Sequence, residues 1–335
     1  MKGITLADIA KATGYSVNTV SHALHDKSDI SEKTKKLIVK TAEEMGYIAN
    51  TSASALRSGK SRSIAIIVGD IANPHFSIMI KEMERRLRGY NYNSLVLNTD
   101  EDEELEKAAI VSAISKNVDG IILCPVQKSR NNLEFLKKSG VPYLFIGRCF
   151  QGDDSGYAVC DDFNGGYVAA QHLLELKHKK LLFIHAPLYI SSAHLRLEGV
   201  KKAILDAGKG SAVLKTAQIA PTDCAGDIKQ ILQKNADCTG IICFSDMIAM
   251  QVCHFLKELG KNVPDDVSVI GFDNIVSKML FPLLLTSVTS SKTSMSTTAV
   301  DTLMDVIEGR TDANLQYIHP TRVIKRESTK EFSSI

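Results

Sequence analysis

The chain has no GxGxxG fingerprint, no Walker sequence and no GxSxG elbow. It therefore lacks the signatures of dinucleotide binding, nucleoside triphosphate chemistry and serine hydrolysis. Its seven cysteines, at 124, 149, 160, 224, 238, 243 and 253, include no CxxC pair, and with histidine they make no metal-ligand spacing. No apolar run approaches the roughly 18 residues of a membrane span, and no charged-then-apolar leader precedes the first amphipathic stretch. The expectation is a cytoplasmic protein with reduced, core-packed cysteines. No membrane association, metal, cofactor or enzymatic activity is expected; the Ser and Asp of the FSD stretch at 244 to 246 have no placed base beside them.

Charge is unevenly spread. The formal net charge is +2 over 335 residues, but residues 1 to 62 hold ten Lys or Arg against six acids, a local surplus of +4 that leaves −2 on the rest. A cationic end suits a polyanionic partner. The same end carries the most organised local pattern. Thr5-Leu6-Ala7-Asp8 has the spacing of a capping box, and Leu6, Ile9 and Ala10 mark the apolar side of a short helix. Gly14 suits the bend that follows, and Ser16 can cap a second helix. On that helix Val20, Ala23 and Leu24 face inward, while Val17, Asn18, Ser21, His22 and His25 form a polar, compact and unpaired face. This spacing predicts a helix-turn-helix, whose second helix lies in a DNA major groove. Short hydroxyl and amide side chains leave room for a duplex, and Asn can pair bidentately with adenine. Ser31 opens a third helix with Leu37, Ile38, Ala42 and Met45 facing inward, and Gly46 ends it.

Residues 49 to 62 are small, polar and basic, the composition of a linker between a headpiece over 1 to 48 and a core over 63 to 335. In the core, apolar runs at 64–68, 94–97, 120–124, 143–146, 181–184, 240–244 and 267–271 alternate with helical patterns at 76–89, 103–116, 131–139, 164–176, 193–207, 225–235 and 246–259. Such alternation predicts parallel sheets covered on both faces. Some 270 residues suggest two lobes, with crossings at Asp161 to Asn164 and at Thr289 to Thr293.

Taken together, the chain resembles the LacI/GalR family of bacterial transcriptional repressors almost end to end. The carriers are ITLADIAKATGYSVNTVSHAL at 4–24, NTSASAL at 50–56, ANPHF at 72–76, VDGIIL at 118–123, RLEG at 196–199, FSDMIAM at 244–250 and DVSVIGFDN at 266–274. The resemblance implies an α-helical headpiece with a hinge helix and a two-lobe core like that of periplasmic sugar-binding proteins. It also implies a homodimer on a near-palindromic double-stranded DNA operator. With no leucine heptad in its last stretch to join dimers into tetramers, a dimer and not a tetramer is expected. By position, Val17, Asn18 and His22 would read bases, while Ser16, Thr19, Ser21, Thr34 and Tyr47 would hold phosphates. Thr5 and Leu6 belong to the same interface. The linker becomes a hinge helix over Asn50 to Arg57, with Asn50 and Ala53 on DNA and Leu56 wedged into the minor groove. Ser54 stands where many relatives have Arg, and Ala49 where Pro is usual.

Ligands of open α/β sheets bind beyond the strands' carboxyl ends. Asn73, Phe76, Arg148, Ser245 and Asp273 occupy such ends, and Arg196 sits where the family has a ligand-binding Arg. Ser290 completes the expected effector site. The implied effector is a small sugar or sugar derivative that controls operator affinity, and Arg148 would discriminate a neutral ligand from an anionic one.

Overall fold

The computed structural model describes residues 3–48, 59–220, 225–275, 284–310 and 315–333. The chain divides into two compact units, Met1–Ser61 and Arg62–Ile335.

In the first unit, helices α1 (Leu6–Thr13), α2 (Val17–Leu24) and α3 (Glu32–Glu44) enclose a small core of Ile9, Ala10, Val20, Ala23, Ile38 and Ala42. The capping box forms: Asp8 accepts from the Thr5 amide at 2.8 Å and from its hydroxyl at 2.7 Å. Ser16 and Ser31 cap α2 and α3, and Gly14 adopts φ +74°, a conformation open to glycine at little cost. Leu37 does not face inward; it is 48% exposed. The inward stripe runs through Ile38, Ala42 and Met45, spaced by four and three, and Leu37 lies about 100° off that line. The segment expected to form the hinge helix, with Asn50, Ala53 and Leu56, lies outside the described residues.

The second unit holds two sheets. Strands β1 (Ser63–Val68), β2 (Asn93–Asn98), β3 (Gly120–Leu123), β4 (Tyr143–Ile146), β5 (Tyr157–Cys160) and β11 (Gln316–His319) form the first, in the order β11-β5-β4-β3-β1-β2. The second comprises β6 (Lys180–His185), β7 (Val213–Gln218), β8 (Gly240–Cys243), β9 (Ser268–Phe272), β10 (Thr286–Thr289) and β12 (Arg322–Ile324), ordered β12-β10-β9-β8-β6-β7. Helices α4 (Pro74–Gly89), α5 (Glu103–Ser115) and α6 (Asn131–Ser139) connect the first sheet. Helices α7 (Asp162–Glu175), α8 (Ser191–Asp206), α9 (Ala225–Lys234) and α10 (Asp246–Glu258) serve the second, and α11 (Lys292–Ile307) returns to the first lobe.

Strand alternation explains why both faces of each sheet are covered. On β1, Ile64, Ile66 and Val68 join one core cluster while Ala65 and Ile67 join another. On β6, Leu182 and Ile184 face one cluster and Leu181 and Phe183 the other. Side chains of period two thus feed two cores from one strand.

Three findings go beyond the sequence reading. Among the described residues the lobes exchange chain three times, between β5 and α7, between β10 and α11, and between β11 and β12; the third crossing is additional to the two expected. The pairing is parallel except for β12, which runs antiparallel to β10. Strands β5, β7, β10, β11 and β12 and helix α11 are additional to the expected elements: β7, β10, β11, β12 and α11 are edge or hydroxyl-rich segments without a continuous apolar run, whereas β5, an interior strand reading YAVC, has such a run but only four residues long. Among the described residues no helix is long and apolar enough to cross a membrane.

Candidate functional site

On the headpiece, Thr5 and Ser16 are exposed caps and Val17 and Asn18 are exposed at the start of α2. Leu6, Thr19, Thr34 and Tyr47 are half-buried; Leu6 and Tyr47 pack on the small core. Hydroxyl pairs tie Ser16 to Thr19 and Ser31 to Thr34, each at 2.9 Å. The outer face of α2 is not unpaired as expected. His22 Nδ1 lies 2.6 Å from Asp29 Oδ2, and His25 Nδ1 lies 2.7 Å from the Ser21 carbonyl. Ser21 itself is only 7% exposed, because its position on α2 turns it toward the other helices.

In the core unit, a cleft of about 390 Å³ opens at the strands' carboxyl ends. Asn73, Phe76, Arg148, Arg196, Ser245 and Asp273 line it. Ser290 does not; it borders a smaller adjoining pocket with His75, Arg196 and Asp273, and its buried hydroxyl has no hydrogen-bond partner among the described residues. Two of the lining residues are structural as well. Asn73 caps α4 by accepting from the His75 amide, and Ser245 caps α10 by accepting from the Ile248 amide.

Both guanidiniums are already engaged. Arg148 makes a bidentate pair with Glu101, Nη1 to Oε2 at 2.7 Å and Nη2 to Oε1 at 2.8 Å, and donates a third bond to the Pro125 carbonyl. Arg196 Nε donates to Asp162 at 2.8 Å and Nη1 to the Phe244 carbonyl at 2.5 Å, with the guanidinium stacked between the Phe244 and Phe272 rings. Burial works against the Arg196 cation, but Asp162, Cys160 and Asp273 together outweigh it and hold the guanidinium above its usual range. Asp273 projects from a backbone at φ +96°, a left-handed conformation rarely adopted by a non-glycine residue. Such outliers concentrate at binding sites. His75 Nδ1 lies 3.3 Å from Asp273 Oδ1 without hydrogen-bond alignment. Burial pushes the His75 imidazole down to about 4, partly countered by Asp273, so the ring is neutral at pH 7. Beneath the cleft floor, Asp246 accepts from the Ile275 amide and the Ser287 hydroxyl, and burial pushes its carboxyl up to about 7.

Close helix packing sets where Arg196 stands. A Cβ on Gly166 of α7 would meet the Arg196 carbonyl at 2.0 Å, and one on Gly199 of α8 the Phe163 carbonyl at 1.9 Å. The two helices therefore cross backbone to backbone. The two lobes also meet beside the cleft. Helix α8 has no side-chain cap of its own; instead Gln127, following β3 in the other lobe, accepts from the Ser191 amide at 2.9 Å. Its Nε2 holds the Cys149 carbonyl, and the Cys149 amide donates to the Ser191 hydroxyl.

Sequence reasoning missed Glu101, Asp70, His75, Asp162 and Gln127. The strand-end rule that found Asp273 also finds Asp70 just after β1 and Glu101 three residues after β2. Asp162 and Gln127 are visible only through their tertiary partners.

A helix-turn-helix headpiece joined to a two-lobe, cleft-bearing α/β core defines a ligand-responsive DNA-binding regulator. Residues 5–50 match the family model of bacterial regulatory proteins of the lacI family, and residues 61–327 match that of periplasmic binding proteins and the sugar-binding domain of the LacI family. The chain belongs to the LacI family: it is a DNA-binding transcriptional regulator and not an enzyme. It is 28% identical over 327 residues to the HTH-type transcriptional repressor PurR of Actinobacillus pleuropneumoniae serotype 3, covering 96% of this chain and 97% of that one. Its fold matches the lac repressor dimer bound to operator and the anti-inducer ONPF with a TM-score of 0.86 at 22% identity, covering 98% and 100% of the two chains. A LacI family regulator from Enterococcus faecium with bound ribose matches at TM-score 0.70 and 28% identity, over 81% of this chain and 100% of that one.

Proposed function

We propose that the chain is a dimeric repressor of carbohydrate-related genes whose grip on a near-palindromic operator is set by a neutral, monosaccharide-sized sugar in the cleft. On DNA, Val17, Asn18 and His22 face base edges and Ser16, Thr19 and Thr34 face phosphates, with Thr5, Leu6 and Tyr47 at the margins of the contact. Two headpieces spaced one helical turn apart, about 34–36 Å, read such a site.

The neutrality of the ligand rests on the state of the two guanidiniums. Glu101 takes both nitrogens that Arg148 would offer a phosphate or carboxylate, and Asp162 balances Arg196. Asp70 and Asp273 add negative charge to the lining, and a carboxylate that accepts from two hydroxyls suits a polyol. The ribose held by the relative of 28% identity supports the same ligand class. A purine base is the second reading, favoured by the PurR relatives and by the Phe76 and Phe244 rings in the lining.

Calorimetry of the full chain against pentoses, hexoses, their phosphates and purine bases separates these readings. A neutral sugar should bind, lose its affinity in Asp273→Ala, and change operator affinity by about 5- to 150-fold. Binding of a sugar phosphate or a purine in its place would overturn the proposal.

A further inference from the structure

The proposed role of His22 leaves open what aims its ring, and the turn between α2 and α3 supplies a candidate. We propose that Asp29 is a positioning residue for base reading by His22: it holds the imidazole so that Nε2 alone is presented to the operator. The inference rests on the reading that His22 faces base edges.

His22 follows Asn18 by one turn of α2 and is partly exposed on the same side. Its Nδ1 lies 2.6 Å from Asp29 Oδ2. The His22 hydrogen bond holds the Asp29 carboxyl below the usual range, so it is ionised at neutral pH and accepts only. Nδ1 must therefore carry the hydrogen. Nε2, on the far side of the ring, makes no hydrogen bond among the described residues and is the nitrogen left for DNA. An unanchored imidazole can turn about χ2 and offer either nitrogen, as donor or acceptor, which blurs what it reads. The anchored ring offers one atom at one station.

The anchor is itself tied down. In the same turn Asp26 pairs with Lys35 of α3 at 2.7 Å, and Lys35 also approaches Glu32. The carboxylate is thus carried on a segment fastened to the third helix. An acid on a DNA-facing surface opposes phosphate, so Asp29 should weaken non-specific binding while sharpening one base position, the opposite of a phosphate clamp.

The test is a binding selection from a randomised palindromic duplex library with the full chain, read by sequencing, followed by titration of single-base variants. His22→Ala should flatten the preference at one symmetric position. Asp29→Ala should flatten that same position by about fivefold, the net scale of one partly exposed hydrogen bond, and leave the other positions unchanged. Asp29→Asn, whose amide oxygen still accepts from Nδ1, should restore the preference. Thermal melts of each variant control for folding. The proposal is overturned if Asp29→Ala keeps the preference at that position, or weakens every position alike as a merely structural residue would. If His22→Ala selects the wild-type consensus, the base-reading role of His22 falls and the role of Asp29 falls with it; retention in Asp29→Ala alone refutes only the positioning.

Discussion

Arg148 and Glu101 form a closed unit: both side chains are about one-tenth exposed, and the guanidinium has one further partner, the Pro125 carbonyl. Breaking such a pair from one side strands a buried charge. Glu101→Ala should therefore cost the core about 3–5 kcal/mol, seen as a lower denaturation midpoint at unchanged slope. Replacing both partners, with Glu101→Gln and Arg148→Met, should cost less than Glu101→Ala alone. A loss under about 1 kcal/mol, the range of exposed pairs, would show that the pair is open in solution. Asp246 gives a pH signature of its own. Its folded carboxyl keeps a proton up to about pH 7, against 3.8 for the free group. The folded state thus binds more protons across that window, and stability is greatest below it, falls as pH rises through it, and is level above. Asp246→Asn removes this slope. Its stability relative to wild type should rise by a few kcal/mol between pH 4 and 8, and a constant difference across that range would refute the assignment.

At the scale of elements, Gln127 caps a helix that belongs to the opposite lobe, so the two lobes share one helix terminus. Losing a cap costs about 1 kcal/mol. Gln127→Ala should weaken effector binding about fivefold, since that energy no longer ties the two lobes together beside the cleft. It should also speed hydrogen exchange in the first turn of α8. Gln127→Glu keeps the acceptor and should fall between the two; unchanged binding and exchange in Gln127→Ala would dismiss the shared cap. The same elements show what the sequence can and cannot convey. Continuous apolar runs mark β1, β3, β4, β6, β8 and β9, and the ends of those strands lead directly to Asn73, Arg148, Ser245 and Asp273. Strand β10 reads TSVT, and α11 reads KTSMSTTAVDTLMDVI with Ser296 and Thr302 buried. Hydroxyl residues favour neither helix nor core, so both elements are specified by the faces they pack against. Ser290 was drawn into the cleft by position alone, and the φ of Asp273, on which the local geometry depends, leaves no trace in composition.

The whole molecule is held together by segments distant in sequence. Helix α11 supplies Met295, Ala299, Val300, Leu303 and Met304 to the core of a lobe whose other residues lie between 64 and 158. Asp301 is gripped by Arg86 at 2.6 and 2.9 Å and by the Tyr90 hydroxyl at 2.9 Å. Leu303→Ala, near the end of the chain, should therefore destabilise the first lobe by about 2–5 kcal/mol. Exchange protection should drop in β1 and β3 as well as around α11, and a loss confined to the second lobe would contradict this packing. This arrangement also has a consequence in time. A ribosome adding about 5–20 residues per second completes the five consecutive strands of the first sheet and then makes nearly 150 more residues before α11 is finished. For roughly 7–30 s one apolar face of that sheet is covered only in part, by Phe76, Met79, Met83 and Leu87 of α4, and the apolar patch that α11 will bury stays open until the helix arrives.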